Sequence, residues 1–334
     1  MKPRGSNLHR VSVVIPVYQG ERTLPELVQE LAVLSAPTRS AAGHEFVVVE
    51  LLLVSDRGPD RSDAVIRDLA VSYDFVRPIW LSRNFGQHPA TLAGMSSSSG
   101  DWIVTMDEDG QHDPAFIGDF LDVALARGLQ LVYANPINRS PHGKVRNGGS
   151  RLAKGLSSKL SPGGNLAIAQ SYRLVLGEVG RSVAAYAGSG VYLDVALGWV
   201  TGPAAVCPVE LRREGDRPSG YSLRRLVSHF WNLIISSGTR PLRLVSVLGG
   251  LFVSVGMLFT LYLIIVRFTA HSIPQGWTSV MVLVLVSTGA ILFSLGIIAE
   301  YVGVAVSMAM GKPLYLIIAD PNDGPLGRDV KDAP

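Results

Sequence analysis

Between Arg243 and Arg267 run 23 residues without a charge, positions 244–266. At about 1.5 Å per residue a helix of this length spans roughly 34 Å, enough for a hydrocarbon core about 30 Å thick. A second uncharged stretch covers positions 272–299 and is densest from Ser279 onward. Apolar runs of about 18 residues or more are the pattern of helices that cross a membrane rather than of helices buried in a soluble core. Gly249, Gly250, Gly256, Gly289 and Gly296 would let two such helices pack closely. The expectation is a pair of transmembrane helices within positions 243–310. Composition agrees: 17% of residues are charged, where about 25% is usual for a soluble domain, and mean hydropathy is +0.28. One cysteine, Cys207, excludes an internal disulfide framework. A net charge of 30 − 27 = +3 is too small to argue for nucleic acid as a partner.

Flanking charges orient the spans. Between Leu211 and Arg243 there are seven arginines against Glu214 and Asp216, whereas the connecting loop, 268–278, has no Lys or Arg. The positive-inside rule puts that loop outside and both chain ends in the cytoplasm. The first apolar run, 11–17, is too short for the core of a signal peptide, so the large N-terminal part is expected to be cytosolic. In positions 221–242, Leu223, Leu226, Val227, Phe230, Trp231, Ile234 and Ile235 recur at helical spacing opposite Arg224 and Arg225. That pattern predicts a helix in the membrane interface, although an amphipathic helix on the soluble part would share it. Positions 301–310 are expected to form a shorter interfacial piece, and 311–334 a cytoplasmic tail.

Positions 10–135 alternate apolar, β-rich runs with helical patterns. Strands are predicted at 11–17, 46–54, 76–81, 101–106 and 129–134, with helices at 24–34, 60–72, 87–97 and 114–126. Continuous apolar strands alternating with helices imply an α/β fold around a mostly parallel sheet covered on both faces. Ligands bind such sheets beyond the C-terminal strand ends. Polar clusters follow those ends here: Pro16-Val17-Tyr18-Gln19, Ser55-Asp56 through Asp60, Ser82-Arg83-Asn84-Phe85-Gly86, and Asp107-Glu108-Asp109-Gly110-Gln111-His112-Asp113. Asp107 and Asp109 flank Glu108, so their side chains point the same way from an extended chain. Two converging carboxylates repel unless a cation lies between them, and with Gln111 they offer the hard oxygen ligands preferred by Mg²⁺ or Mn²⁺. Taken alone, the same turn could be a solvated cap for the helix opening at Pro114.

These motifs, with Val13-Val14-Ile15-Pro16-Val17-Tyr18, Ser171-Tyr172-Arg173-Leu174, Thr239-Arg240-Pro241-Leu242-Arg243, Glu300-Tyr301-Val302-Gly303 and Lys312-Pro313-Leu314-Tyr315, resemble the family 2 glycosyltransferases of GT-A fold. Within that family the chain is similar to the polyprenyl-phosphate glycosyltransferases, the group that includes dolichyl-phosphate mannose synthase and bacterial two-span glucosyltransferases. The likeness runs through nearly the whole chain and is weakest at 140–220. It implies a GT-A, Rossmann-like domain over 1–220, the interfacial helix over 221–242, the two-helix hairpin over 243–310 and the tail.

The resemblance also implies roles. Pro16, Tyr18, Ser55, Asp56, Asn84 and Asp107 would line the pocket for a nucleotide-diphosphate sugar, linked to UDP or GDP. Asp107, Asp109 and Gln111 would hold the metal, with Asp107 and Asp109 central to catalysis. Arg139, Arg146, Ser150, Arg173, Arg217, Ser219 and Tyr221 would hold the phosphate of a polyprenyl phosphate in the bilayer, and a homo-oligomer is left open. The chain departs from the family where Ser55-Asp56 replaces paired aspartates and Ser171-Tyr172-Arg173 replaces Asp-Phe-Arg. The expected reaction is inverting transfer of one sugar at the cytoplasmic face. Alternatives are a family 2 transferase acting on another lipid or glycan, and a weakly catalytic scaffold that binds nucleotide sugars.

Overall fold

The computed structural model describes residues 8–138, 168–188, 192–212, 276–311 and 313–323, with four isolated helical positions at 254, 258, 261 and 265. The chain divides into two compact units, Met1–Leu226 with Pro313–Pro334, and Val227–Lys312. The first is a three-layer α/β unit. Its strands are β1 (His9–Val17), β2 (Thr38–Arg39), β3 (Glu45–Ser55), β4 (Val76–Leu81), β5 (Trp102–Thr105), β6 (Leu131–Pro136), β7 (Arg173–Leu176), β8 (Ala205–Val209) and β9 (Ile317–Ile318). The helices are α1 (Leu24–Val33), α2 (Ser62–Ser72), α3 (Gln87–Ser97), α4 (Ile117–Arg127), α5 (Gly177–Tyr186) and α6 (Leu193–Val200).

The sheet runs β8-β6-β7-β5-β1-β3-β4-β9, with β2 paired to β3. β5, β1, β3 and β4 are mutually parallel, so their C-terminal ends share one edge. β7 is antiparallel to both β5 and β6, which brings its first residue, Arg173, opposite Thr105 at the same edge. Strand order reverses between β1 and β5, the place where sheets of this kind open a ligand crevice.

Alternation along the strands builds two cores. Val11, Val13, Ile15 and Val17 of β1 face α1, α2 and α4 through residues such as Leu24, Leu27, Ile66 and Phe120. Val14 points the other way, onto Ala90, Leu92 and Ala93 of α3 and Val183 and Leu197 of α5 and α6. In α1, Leu24, Leu27, Val28 and Leu31 are buried, the 3.6-residue stripe that the sequence displays.

The second unit contributes one described helix, α7 (Trp277–Ala309), 33 residues long. Its window Val286–Gly303 is long and apolar enough to cross a membrane. Val284, Val286, Ile291, Phe293, Leu295 and Ile298 are exposed on it. Positions 301–309, expected as a shorter interfacial piece, are helical and continuous with the rest of α7, which ends at Ala309. A single Glu300 does not interrupt the backbone ladder, and the next proline is Pro313. The first expected span is described at only four positions, and the expected interfacial helix lies outside the described residues. Residues 313–320, expected as part of a tail, join the first unit, where β9 pairs antiparallel with β4.

Candidate active site

Four loops meet at the shared strand edge. After β1, the amides of Tyr18 and Gln19 donate to the two carboxylate oxygens of Glu108, each at 2.9 Å. Glu108 therefore ties the β1 loop to the β5 loop, and Asp107 and Asp109 on either side are left for other partners. Ser55, the last residue of β3, is buried and its hydroxyl donates to Asp63 at 2.5 Å. Asp56 is also buried, and it accepts from the amides of Phe85 at 2.7 Å and Gly86 at 2.8 Å. Burial pushes its carboxyl above the ordinary value, with the two amides opposing that rise. Arg57 has a left-handed backbone, φ 55°, unusual for a residue with a side chain, and its Nε donates to the Leu81 carbonyl at 3.0 Å. Gly58 follows because no side chain fits: a Cβ there would lie 1.4 Å from the Tyr18 carbonyl oxygen. After β4, Asn84 and Arg83 are exposed, with the Arg83 guanidinium 4.1 Å above the Phe85 ring.

The loop after β5 carries the carboxylates. Asp107 Oδ1 accepts from Gln87 Nε2 and Oδ2 from the Ser171 hydroxyl, both at 2.6 Å. Its amide donates to His112 Nδ1 at 2.9 Å, which leaves the His112 proton on Nε2. His112 is buried and stacks on Tyr172 at 4.8 Å. Asp109 accepts from the Gln111 amide at 3.0 Å across a turn that Gly110 makes with φ 75°. Asp113 caps the following turn through the Ala115 amide and pairs with Arg212 at 3.0 Å.

Behind Asp107 lies a largely buried polar chain whose connections were not among the sequence-based expectations. Thr105 donates to the Ser171 carbonyl at 2.6 Å and accepts from Arg173 Nε at 3.0 Å. Arg173 also pairs with Asp194, in the first turn of α6, and Asp194 accepts from Tyr133 at 2.9 Å. Burial is the main reason the Tyr133 phenol is pushed up, so it stays a donor. Arg173, expected as an acceptor-phosphate ligand, is buried with its charge already matched. A cavity of about 170 Å³ opens between these groups, with Pro16, Gln87, Asp107, Ser171, Arg173 and Asp194 among its walls. With His88 also in its wall, it holds carboxylates on two sides and amide, hydroxyl and imidazole groups between them, a set suited to a polyhydroxylated ligand.

Of the expected residues, Pro16, Asp107 and Arg173 line this cavity. Tyr18, Asp56 and Asn84 lie in the adjoining β1, β3 and β4 loops, Ser55 at the end of β3, and Asp109 and Gln111 in the turn beyond Asp107. Arg139, Arg146, Ser150, Arg217, Ser219 and Tyr221 lie outside the described residues. Sequence reasoning missed Glu108 as a clamp, Gln87 and Ser171 as donors to Asp107, and Asp194. A lone acid at the start of a short helix gives little signal unless its partner across the sheet is known.

For a divalent cation, the donor chemistry of the turn fits. Asp107, Asp109 and Gln111 offer hard oxygens, and each Asp107 oxygen keeps a lone pair after accepting one hydrogen bond.

Residues 12–176 match the family model described as glycosyl transferase family 2. The chain is 30% identical over 325 residues to the undecaprenyl-phosphate 4-deoxy-4-formamido-L-arabinose transferase of Pseudomonas fluorescens (strain SBW25), covering 93% of this chain and 89% of that one. This chain belongs to glycosyl transferase family 2. The transferase is also 28% identical over 312 residues to the SfII prophage-derived bactoprenol glucosyl transferase of Shigella flexneri, covering 92% of this chain and 97% of the other. Glucosyl-3-phosphoglycerate synthase from Mycobacterium tuberculosis superposes on this transferase with a TM-score of 0.45 at 20% identity, over 70% of this chain and 80% of the other.

Proposed function

We propose that this enzyme transfers one sugar from a nucleotide-diphosphate sugar to a polyprenyl phosphate. The observation that carries the reading is the reach of the likeness. Relatives named for undecaprenyl phosphate and bactoprenol match over more than nine-tenths of the chain, so the match includes the apolar unit Val227–Lys312 as well as the α/β unit. A transferase acting on a soluble acceptor has no need of a 33-residue helix carrying exposed Leu, Ile, Val and Phe. The finer reading is a GT-A catalytic unit on the cytoplasmic face, held by two membrane helices.

In this reading the loops after β1, β3 and β4 receive the nucleotide, and the cavity between Asp107 and Asp194 receives the sugar. A cation held by Asp107, Asp109 and Gln111, Mg²⁺ or Mn²⁺, would supply charge neutralisation at the leaving diphosphate. A phosphate-monoester oxygen attacks the anomeric carbon from the side opposite the diphosphate. The new C–O bond forms as the old one breaks, and the configuration inverts. With a second pKa near 6, that nucleophile is largely ionised at neutral pH and needs no strong general base. Ser171 and Gln87 fix the orientation of Asp107, and positioning carries much of the rate. Arg146, Ser150, Arg217 and their neighbours Arg139, Ser219 and Tyr221 are proposed to hold the acceptor phosphate, since guanidinium forks match a dianion.

The test is transfer of radiolabelled sugar from a panel of UDP- and GDP-sugars to undecaprenyl phosphate by the full-length protein in detergent. Organic-soluble, acid-labile label is the expected result. Label appearing only on a glycan or on a lipid without phosphate would replace this acceptor. Nucleotide binding with no transfer to any acceptor would favour the scaffold reading.

A further inference from the structure

The chain leaves the α/β unit after Leu226 and returns to it at Pro313. What returns is held at several points. Leu314 and Tyr315 pack against the core cluster that also receives Phe85, and the Tyr315 hydroxyl donates to Ser96 at 3.0 Å. The Leu316 carbonyl accepts from the Ser82 amide at 2.9 Å. Ile317 and Ile318 then pair with Leu81 and Trp80. Finally Asp320 takes both arms of the Arg67 guanidinium, Nε and Nη2, each at 2.7 Å. The same guanidinium lies 4.7 Å from the centre of the Trp80 ring.

These contacts converge on one loop. Residues 82–86 begin at Ser82, held by Leu316, and end at Phe85 and Gly86, whose amides are held by Asp56. Without β9, β4 would be an open edge, and Trp80 and Leu81, which launch the loop, would have no neighbour on the side away from β3. Two residues of antiparallel pairing are marginal by themselves. The bidentate, ring-stacked Arg67–Asp320 pair supplies the geometric fixity that a two-residue strand lacks.

We propose that residues 314–320 are a positioning element of the donor site, with Arg67 and Asp320 as the latch that holds the 82–86 loop in its nucleotide-binding form. The proposal rests on the reading of that loop as part of the nucleotide pocket. Asp320 and Arg67 act through the loop rather than on the ligand.

The experiment uses full-length protein in detergent, with UDP and GDP titrated in the presence of Mn²⁺, donor and acceptor kinetics, and amide hydrogen exchange. Asp320→Asn should weaken nucleotide affinity and raise donor KM about three- to tenfold, with kcat and polyprenyl-phosphate KM changed by less than about twofold. Exchange in residues 82–86 should quicken while β1 stays protected. Arg67→Lys keeps the charge but loses the fork and should recover little. The exchanged pair Arg67→Asp with Asp320→Arg should recover part of the affinity. Arg39→Ala, which breaks the exposed Arg39–Glu45 pair, is the control that should leave donor KM unchanged. Unaltered nucleotide affinity and loop exchange in Asp320→Asn would overturn the proposal. So would exchange that quickens uniformly with a lowered melting temperature, because the pair would then be merely structural. Should Asp320→Asn fail to fold, Arg67→Lys decides by the same readouts. If wild-type protein binds neither UDP nor GDP, the nucleotide reading of the loop fails, and loop exchange alone judges the latch.

Discussion

The Ser171 hydroxyl donates to Asp107 Oδ2 at 2.6 Å, across the junction where antiparallel β7 meets parallel β5. With Gln87 on the other oxygen, Asp107 is oriented from both sides. Ser171→Ala removes one hydrogen bond to a charged group, worth about 1.5–3 kcal/mol, and should lower kcat/KM about ten- to a hundredfold. Ser171→Asp puts a like charge against Asp107 and should cost more than alanine does. Steady-state kinetics of both variants check the order, and an aspartate variant more active than the alanine variant would refute it.

Asp109→Asn should abolish turnover and weaken Mn²⁺ binding while the protein stays folded, since one oxygen ligand loses its charge. Mn²⁺ titration followed by electron paramagnetic resonance reads the affinity independently of activity. EDTA should stop the wild-type enzyme reversibly. Unchanged Mn²⁺ affinity in Asp109→Asn would remove that residue from the ligand set.

Gly58→Ala forces a Cβ to within 1.4 Å of the Tyr18 carbonyl oxygen, so the β1 and β3 loops cannot both keep their places. The expected loss is at least about 2 kcal/mol of stability, with nucleotide binding falling as well. Thermal melting and UDP titration measure the two effects. A variant as stable as wild type would mean the loops separate without cost.

Acid should destabilise the α/β unit through named carboxylates. Burial alone would raise Glu50, but hydrogen bonds from Ser12, Ser99 and Arg77 together hold it below its ordinary value. Asp122 is likewise lowered, burial being outweighed by His44, Ser40 and the Ala42 amide, and Asp320 is lowered chiefly by Arg67. A depressed folded-state pKa adds stability that is complete above the unfolded value, about 4, and is lost as pH falls through the folded one. Asp56, raised by burial, works in the opposite sense. The melting temperature should therefore fall between about pH 5 and pH 2, and Glu50→Gln should flatten that fall while lowering stability at neutral pH. Melting curves against pH read both.

Membrane orientation can be read by thiol labelling. Cys207 is buried, and burial is the main reason its thiol is pushed up to about 11, so the native cysteine should stay silent. A cysteine introduced at Gln275 should react with an impermeant reagent added outside, and one at Asp332 should not. The reverse pattern would invert the proposed topology.

The parallel strands were legible as continuous apolar runs, and helices such as α1 by a 3.6-residue stripe; α3 has the bounds expected for it, although it buries Ala90 to Met95 without a break. The four polar loops were legible for the same reason, as breaks in that pattern. Of the short strands β5 was legible but others were not: β7 and β8 have four and five residues, and β9 has two with its partner more than 200 positions away. Within the site, residue types were readable but hydrogen-bond partners were not. Nothing in Asp-Glu-Asp says that the middle acid clamps Tyr18 and Gln19, or that Ser55 turns to Asp63. Asp194 depends on Arg173 emerging opposite Thr105, which only the antiparallel β7 register decides.

Because β9 belongs to the α/β unit but follows Val227–Lys312 in the chain, synthesis must pass through the whole apolar unit before β4 gains its outer neighbour. During that interval β4 is an uncovered strand edge, the kind that recruits wrong partners. A nascent chain halted inside the apolar unit would already carry Asp107, Asp109 and Asp194 and yet have an unfinished sheet. Completion of the sheet is thus timed to the end of apolar-unit synthesis, so a chain that cannot complete the apolar unit should not complete the α/β unit either.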